Sequence, residues 1–337
     1  MSTLQSSPAA TGDEVELIQH VRTVGQAIKS EIGKQIIGQE HIVEHLLICI
    51  LSGGHALLVG VPGLAKTLLV RTLSQAMDLK FRRIQFTPDL MPADITGTEI
   101  LEENRQTNHR QFTFAPGPLF ANIILADEIN RTPPKTQSAL LEAMQEHSVT
   151  VSGKTYKLEE PFFVLATQNP IEQEGTYPLP EAQLDRFMFC LNLDYPSTSE
   201  AVAILEATTT GITPELKTVV TGEQIVRFQS TLRRIAAPRA ALEYAVRLIE
   251  TTRPASPTAT ADVKRFVRFG AGPRGSQHLI FAAKVRAALH GRFHVELEDI
   301  KALAAPTLRH RVLLNYHAEI EKLTPDALIA KLIKEIR

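Results

Sequence analysis

The sequence predicts an α/β fold in two parts: a core built on a parallel β-sheet with inserted β-hairpins, followed by an all-α domain. Buried strand patterns recur at residues 57–59, 122–127 and 161–167, with helical patterns between them. Such an alternation is typical of a parallel sheet that is covered by helices. Beyond residue 196 the strand patterns fade and helical spacing dominates.

The first predicted element is a helix over residues 14–34. Its apolar residues recur at helical spacing, at Val15, Ile18, Val21, Val24, Ile28 and Ile32. The preceding residues are polar and rich in Ser and Ala, so we expect a flexible N-terminus at residues 1–13. The predicted organisation is therefore a flexible segment 1–13, a core domain 14–196 and a helical lid domain 197–337.

The strand at residues 57–59 leads directly into the loop Gly60-Val61-Pro62-Gly63-Leu64-Ala65-Lys66-Thr67. This spacing is typical of a phosphate-binding turn: backbone N–H groups face phosphate oxygens, the lysine reaches the β- and γ-phosphates, and the hydroxyl ligates Mg²⁺. A helix follows, whose N-terminus favours phosphate and whose apolar residues are Leu68, Leu69, Leu73 and Met77. Ala65 replaces the usual second glycine, and its methyl group is expected to restrict the backbone. The loop predicts a nucleoside triphosphate as ligand, and the alternative is a plain Gly/Pro turn.

The second buried strand ends in two adjacent carboxylates, Asp127 and Glu128. Side chains alternate along a strand, so the two cannot face the same way unless the strand ends there and the chain turns. We expect Asp127 to hold the water shell of Mg²⁺ and Glu128 to orient the water that attacks the γ-phosphate. The alternative is that the acidic pair only caps a helix.

The third strand ends in Gln168 and Asn169. An amide at the tip of a central strand can hydrogen-bond the attacking water or the γ-phosphate, so Asn169 is a candidate sensor of nucleotide state. The alternative is a turn residue before Pro170. Arg186 follows this strand, within residues 179–187.

Two segments predict β-hairpins. The insertion at residues 87–118 contains two β-like arms, 95–100 and 112–114, around a polar tip at 104–110. A shorter pair of arms, 148–151 and 155–158, is joined by residues 152–154.

In the C-terminal part, the sequence pattern predicts helices at residues 224–235, 240–252, 277–291 and 297–314.

Two polar clusters are interpreted without a ligand. His41 and His45 are one helical turn apart, but no third metal ligand is apparent, so a surface or core role is expected. The basic cluster Arg309-His310-Arg311 is interpreted as a solvated face, with contact to a neighbouring subunit or partner as the alternative.

The composition agrees with a two-domain globular protein. The chain has 337 residues and 44% apolar content, and its 36 basic and 37 acidic residues leave a net charge of −1. A dedicated nucleic-acid binder is expected to be strongly basic, so nucleic acid is not an expected partner.

Cys49 and Cys190 lie in apolar runs and are interpreted as core residues. Without an export signal or a membrane-spanning segment, a cytoplasmic location is expected.

The chain resembles the AAA+ ATPases, which have a P-loop NTPase core and a helical lid, and within them the MoxR-type group. The resemblance covers residues 14–330 and rests on five segments, at residues 60–67, 127–131, 133–144, 166–170 and 184–187.

The resemblance implies a role for each matching residue. It implies a catalytic glutamate at Glu128, a first sensor at Asn169 and an arginine finger at Arg186. It also implies Mg²⁺ ligation by Thr67 and Asp127, and a second-sensor arginine at Arg274, where a lid helix begins. The residues implied to hold ATP are Ile37 and Gly38 at the adenine and Gly60, Pro62, Gly63, Leu64, Ala65, Lys66, Thr67 and Leu68 at the phosphates.

The resemblance further implies Mg-dependent ATP hydrolysis in a homo-oligomeric ring, most often a hexamer, that remodels or assembles a partner protein. In the MoxR-type group a frequent partner carries a von Willebrand factor A domain. Three alternatives stay open: a metal-chelatase-type motor subunit, which shares the inserted hairpins; a nucleic-acid-stimulated motor; and a nucleotide-gated binding module that barely hydrolyses ATP.

Overall fold

The computed structural model describes residues 12–104, 109–171, 175–211 and 214–336. Residues 1–11, most of the predicted flexible N-terminus, lie outside these ranges, as do residues 105–108 of the predicted hairpin tip. In chain order, the elements up to residue 192 are α1 (Gly12–Ile32), α2 (Glu40–Leu51), β1 (Ala56–Val59), α3 (Lys66–Ala76), β2 (Phe81–Gln85), α4 (Pro92–Thr96), β3 (Gly97–Asn104), β4 (His109–Pro116), β5 (Ile123–Asp127), α5 (Pro134–Glu146), β6 (Ser148–Val151), β7 (Lys154–Lys157), β8 (Phe163–Gln168), α6 (Glu181–Leu184) and β9 (Phe189–Asn192).

Five parallel strands form the central sheet, in the spatial order β2-β5-β8-β1-β9. β8 therefore lies between β1 and β5, pairing Ala166 with Leu57 and Val164 with Ile124. Because all five strands run the same way, the loops after β1, β5 and β8 leave from one edge and lie side by side. The predicted parallel sheet is confirmed.

Both faces of the sheet are buried. Along β5, Ile123 and Leu125 belong to one apolar cluster, whereas Ile124 and Ala126 belong to a second cluster on the opposite face. The first cluster contains residues of α1, α2, α3 and the C-terminal helices, and the second contains residues of α5. Burial on both faces explains why these strands read as continuous apolar runs rather than as an alternation.

Both predicted hairpins are present: β3 pairs antiparallel with β4, and β6 with β7. The first hairpin begins later than the sequence pattern indicates, because Ile95 and Thr96 end α4. Gly97 makes the transition with a φ of 93°. A β-carbon there would lie 2.3 Å from the carbonyl oxygen of Ala115, so the close approach of the two strands requires glycine.

The C-terminal part is helical, as predicted, and adds one short antiparallel strand pair. Within the described ranges, no helix is long and apolar enough to cross a membrane. The elements are α7 (Thr198–Thr209), α8 (Gly222–Leu232), α9 (Arg239–Thr251), α10 (Ala261–Phe266), β10 (Val267–Phe269), α11 (Pro273–Leu289), α12 (Leu297–Leu308), β11 (Leu313–Leu314), α13 (Tyr316–Ile320) and α14 (Pro325–Glu335).

Two predictions for the end of this part are wrong. The helix predicted over residues 297–314 ends at Leu308, because residues 313–314 pair with β10 instead. The cluster Arg309-His310-Arg311 is not a solvated face: His310 and Arg311 are 8% and 5% exposed. Arg311 can be buried because backbone carbonyls and a carboxylate accept its hydrogen bonds.

Candidate active site

The phosphate-binding loop predicted between β1 and α3 has the backbone that such a loop needs. Gly63 and Ala65 adopt left-handed angles, with φ of 87° and 53°. Ala65 is the N-cap of α3, and no described side chain caps this helix end, so its free N–H groups remain available to an anion. The Ala65 methyl group is thus compatible with the turn, at a cost of about 1 kcal/mol for left-handed backbone outside glycine.

A hydrogen bond between Lys66 and Gly60 joins the two ends of the phosphate-binding loop. The Lys66 ammonium donates to the carbonyl oxygen of Gly60 at 2.5 Å. Burial lowers the pKa of Lys66, and the nearby carboxylates of Asp127 and Glu128 oppose that shift. Gly60 itself is held by packing, since a β-carbon there would lie 2.8 Å from Cβ of Leu193 just after β9. Lys66 is therefore positioned between the loop and the two acidic residues.

The side chains of Asp127 and Glu128 point in different directions, because the strand ends between them and the chain turns. β5 ends at Asp127, and Glu128 has a φ of 57°, which turns the chain into a 3₁₀ turn at Ile129–Arg131. The two carboxylates consequently make different contacts. Asp127 accepts from the Arg83 guanidinium at 2.7 Å, whereas Glu128 accepts from Gln85 at 2.7 Å and from Arg131 at 2.9 Å.

Thr167 joins the two acidic residues from β8. Its hydroxyl donates to Asp127 Oδ1 at 2.6 Å and accepts from the backbone N–H of Glu128 at 2.8 Å. Sequence reasoning missed Thr167, Arg83 and Gln85 as site residues. Arg83 and Gln85 lie on β2, and only the pairing of β2 with β5 brings them to the acidic pair. For Thr167 the sequence does contain a signal, because it is a polar residue at the end of an apolar strand, directly before the polar pair 168–169.

Gln137 supports the turn that carries Glu128. Its side-chain amide is fully buried and donates to the carbonyl oxygens of Ile129, Thr132 and Tyr177 at 3.0–3.1 Å. The two N–H groups of this amide serve three carbonyl oxygens, so one N–H is shared between two of them, and the 3₁₀ turn is tied to α5. No local sequence pattern indicates this role.

Asn169 lies directly after β8, beside the phosphate loop, and is 6% exposed. Its side-chain oxygen accepts from the backbone N–H of Ile171 at 3.1 Å. This is the contact of a turn residue. The structure therefore places Asn169 at the sheet edge, as the sensor hypothesis requires, but engages its oxygen in the local turn.

The segment expected to bind adenine lies between α1 and α2. Ile36, Ile37 and Gly38 line a cavity of about 210 Å³ together with Ile32 and Val43. Gly38 has a φ of 72°, and the carboxylate of Glu200 on α7 lies against it. The cavity is mostly apolar, which suits a flat heterocyclic ring. A larger cleft of about 730 Å³, lined by Lys80, Asn122 and Gly222 among others, lies away from these residues, so size alone does not identify the site.

Arg186 and Arg274 lie on different elements and are linked through Asp185, which precedes Arg186 in the chain and contacts Arg274. Arg186 follows α6, is half-buried, and its guanidinium makes no hydrogen bond or ion pair with any described residue. Arg274 is the second residue of α11, and its guanidinium contacts Asp185 Oδ2 at 3.3 Å. The residue next to Arg186 thus holds the predicted second-sensor arginine.

The chain is similar to known proteins in both its core and its C-terminal part. Residues 55–189 match the ATPase family associated with various cellular activities (AAA), and residues 259–332 match the AAA lid domain. The chain is 43% identical to Chaperone MoxR1 of Mycobacterium tuberculosis, over 97% of this chain and 85% of that protein. It is 44% identical to the protein YeaC of Bacillus subtilis, over 93% and 94%.

A solved structure is also similar. A crystal structure from Cytophaga hutchinsonii, described as that of a candidate ATPase, superposes with a TM-score of 0.88 at 40% identity. The superposition covers 96% of this chain and 97% of that one. The similarity therefore extends over both the parallel-sheet core and the C-terminal helices.

Proposed function

The chain belongs to the MoxR-type AAA+ ATPases, and from this membership we propose that it hydrolyses Mg–ATP in a closed ring of identical subunits to remodel or assemble a partner protein. ATP hydrolysis follows from the family. The dependence on Mg²⁺, the ring, the partner and a cytoplasmic location are proposals. So are the boundaries of a core at residues 14–196 and a lid at residues 197–337.

The observation that best supports the chemistry is the position of Glu128 beside the phosphate loop. The uncapped N-terminus of α3 and the Lys66 ammonium would bind the β- and γ-phosphates. The positive φ of Glu128 directs its side chain away from the strand. There the carboxylate would orient the water that attacks the γ-phosphate, or accept a proton from it. Gln85 and Arg131 hold its carboxylate in place until the nucleotide arrives.

Thr67 and Asp127 fit a magnesium ion. Both offer oxygen ligands, which Mg²⁺ prefers, and Thr67 is exposed at the first turn of α3. Arg83 contacts Asp127, but its side chain is 46% exposed and can withdraw without opening the core. The bound ion would neutralise charge that develops on the phosphates.

The ring is supported by Arg186, whose guanidinium has no partner in the described part of its own chain. A finger from a neighbouring subunit stabilises the transferred phosphoryl group and raises turnover by about 10³ or more. Arg131 is the next candidate for the finger, although it contacts Glu128 of its own subunit at 2.9 Å. In a head-to-tail ring, most often a hexamer, each Arg186 would serve one adjacent site.

A mixture of two inactive proteins tests the ring. Arg186→Ala lacks the finger, and Glu128→Gln lacks the catalytic carboxylate, so each alone should hydrolyse ATP poorly. In a random 1:1 mixture roughly one quarter of the sites pair an intact Glu128 with an intact neighbouring Arg186, so about that fraction of wild-type turnover should return. Normal ATPase activity of Arg186→Ala at every protein concentration would reject the trans finger.

A variant that binds ATP without hydrolysing it can identify the partner protein. The Glu128→Gln protein should retain ATP and so hold its client longer than the wild type does. We expect a separate protein, such as one with a von Willebrand factor A domain, to be retained with ATP and released with ADP.

Salt-sensitive stimulation of hydrolysis by DNA would instead favour the nucleic-acid motor. Stimulation by a metal-chelatase partner would favour the chelatase-type motor, and absence of turnover by the wild type would favour the nucleotide-gated module.

A further inference from the structure

Arg311, three residues after α12, is the most completely hydrogen-bonded buried cation among the described residues. Its side chain is 1% exposed. Its Nε donates to Asp185 Oδ1 at 2.7 Å. Its two terminal nitrogens donate to backbone carbonyl oxygens of Asp185 at 2.9 Å, Phe187 at 2.6 Å and Met188 at 3.2 Å, and also to that of Thr307. One lid residue thus holds three residues of the core.

The remaining acceptor of Arg311 is His278 on α11, whose Nδ1 lies 2.8 Å from the guanidinium. Burial, together with the neighbouring charges of Arg311 and Arg274, lowers the pKa of His278 to about 3. The imidazole is therefore neutral near pH 7, and its Nδ1 can accept a hydrogen bond. Six acceptors therefore face the five N–H groups of Arg311, so every N–H has a partner and one is shared between two acceptors. A planar guanidinium can satisfy such a set, whereas a lysine ammonium has only three N–H groups.

The three core residues that Arg311 holds flank Arg186 in the chain. Asp185 precedes Arg186, and Phe187 and Met188 follow it. Fixing the carbonyl groups on both sides of a residue fixes its Cα position and the direction in which its side chain leaves the backbone. Met188 is held from the core as well, because its N–H donates to the carbonyl oxygen of His55 at 2.7 Å.

We propose that Arg311 is the positioning residue for Arg186: the lid arginine clamps residues 185–188 so that the Arg186 guanidinium points at the site of the neighbouring subunit. The inference rests on the proposed ring, in which Arg186 acts in trans. It assigns a function to the third residue of the basic cluster 309–311. Asp185 completes the clamp as the counterion of Arg311, while its second oxygen contacts Arg274.

The test measures the finger in a neighbour's site rather than the variant's own activity. Donor subunits carry Glu128→Gln, so they cannot hydrolyse ATP but still supply Arg186. Acceptor subunits carry Arg186→Ala and provide all active sites. Adding Arg311→Lys to the donor should lower the restored kcat by about tenfold to a hundredfold, the effect of misplacing a catalytic group by about 1 Å. The KM for ATP should stay within about twofold, since the acceptor's own nucleotide contacts are intact.

Arg309→Lys in the same donor is the matched control. Arg309 is two residues earlier and forms an ion pair with Asp326 at 2.8 Å within the lid, so this donor should restore activity fully. Thermal unfolding and the size of the assembled ring are measured for each donor. If Arg311→Lys does not fold, Asp185→Asn takes its place, because it removes the negative charge that orients the Arg311 guanidinium and the Asp185 side chain is 29% exposed.

The outcomes separate the inference from the proposed function. A folded, assembled Arg311→Lys or Asp185→Asn donor that restores full kcat would make the clamp purely structural and overturn the inference alone. If the Glu128→Gln donor without further change restores nothing, the trans finger fails and the inference fails with it. Loss of restored kcat with Arg311→Lys but not with Arg309→Lys supports the positioning role.

Discussion

Ala65 and Glu128, which both carry a β-carbon, adopt left-handed backbone angles with φ of 53° and 57°. Such angles cost free energy outside glycine and tend to occur at functional sites. At Glu128 the angle has a direct consequence, because it turns the carboxylate away from the face of Asp127 and lets the two residues take separate roles. At Ala65 it keeps the N-terminus of α3 open toward the loop.

Thr167 provides a residue-scale prediction. Its hydroxyl bonds both Asp127 and the backbone of Glu128, and it is fully buried. Thr167→Val removes the hydrogen bonds that the hydroxyl makes to Asp127 Oδ1 and to the N–H of Glu128, and a polar group left unsatisfied costs about 1–3 kcal/mol. Steady-state assays should show kcat reduced by about tenfold or more. Thr167→Ser keeps the hydroxyl and is the control; equal kcat for the Val and Ser variants would remove Thr167 from the site.

At the scale of elements, the two hairpins contact one another. Phe114 on β4 stacks on Tyr156 on β7, with ring centroids 4.0 Å apart and an interplanar angle of 15°. Lys154 on β7 approaches Glu99 on β3 at 3.5 Å. The ion pair has an exposed lysine and contributes little, whereas the aromatic stack contributes free energy beyond its buried area.

Tyr156→Ala should loosen the first hairpin without unfolding the core. The stack is worth about 0.5–1.5 kcal/mol beyond its buried area, so amide exchange of β3 and β4 should accelerate about twofold to tenfold. Hydrogen exchange followed by mass spectrometry measures this directly. Tyr156→Phe preserves the ring and should exchange like the wild type. Unchanged exchange in Tyr156→Ala would show that the hairpins are independent.

At the scale of the whole molecule, buried neutral histidines couple stability to pH. His55 is 5% exposed; it donates from Nε2 to the carbonyl oxygen of Met144 and accepts at Nδ1 from the N–H of Val164. Burial lowers its pKa to about 4. Burial likewise lowers the pKa of His45 to about 4 and that of His310 well below its usual value.

The sign of the pH effect follows from proton binding. Below pH 6.5 the unfolded chain protonates its histidines, whereas folded His55 stays neutral down to about pH 4. The unfolded state therefore binds more protons, and the free energy of unfolding falls as pH falls between about 6.5 and 4. For His45 and His55 this contribution to stability is fully present above that range and is lost as pH falls through it.

His55→Gln tests this coupling, since glutamine can donate and accept the same two hydrogen bonds without taking up a proton. Between pH 7 and pH 5 the variant should lose about 2 kcal/mol less of its free energy of unfolding than the wild type, by the linkage of one proton. Urea unfolding at the two pH values gives the difference. An identical pH dependence in both proteins would mean that folded His55 titrates like an exposed histidine.

The sequence by itself determined what depends on neighbouring residues. The phosphate loop at residues 60–67 and the acidic pair 127–128 were recognisable because their chemistry needs contiguous residues at fixed spacing. The parallel sheet and the hairpins were predictable for the same reason, since strand and turn patterns are local. The AAA+ family resemblance rested on such segments and is confirmed.

Only the tertiary structure decided the contacts between distant residues. Thr167 reaches Asp127 across 40 positions, and Arg311 reaches Asp185 across 126. No local pattern encodes such separations: strand order places β8 beside β5, and lid packing places the end of α12 against residues 185–188. The cluster 309–311 looked like a solvated face because charged residues are usually exposed. It is buried because the carbonyl groups and the carboxylate that satisfy Arg311 come from a different part of the chain.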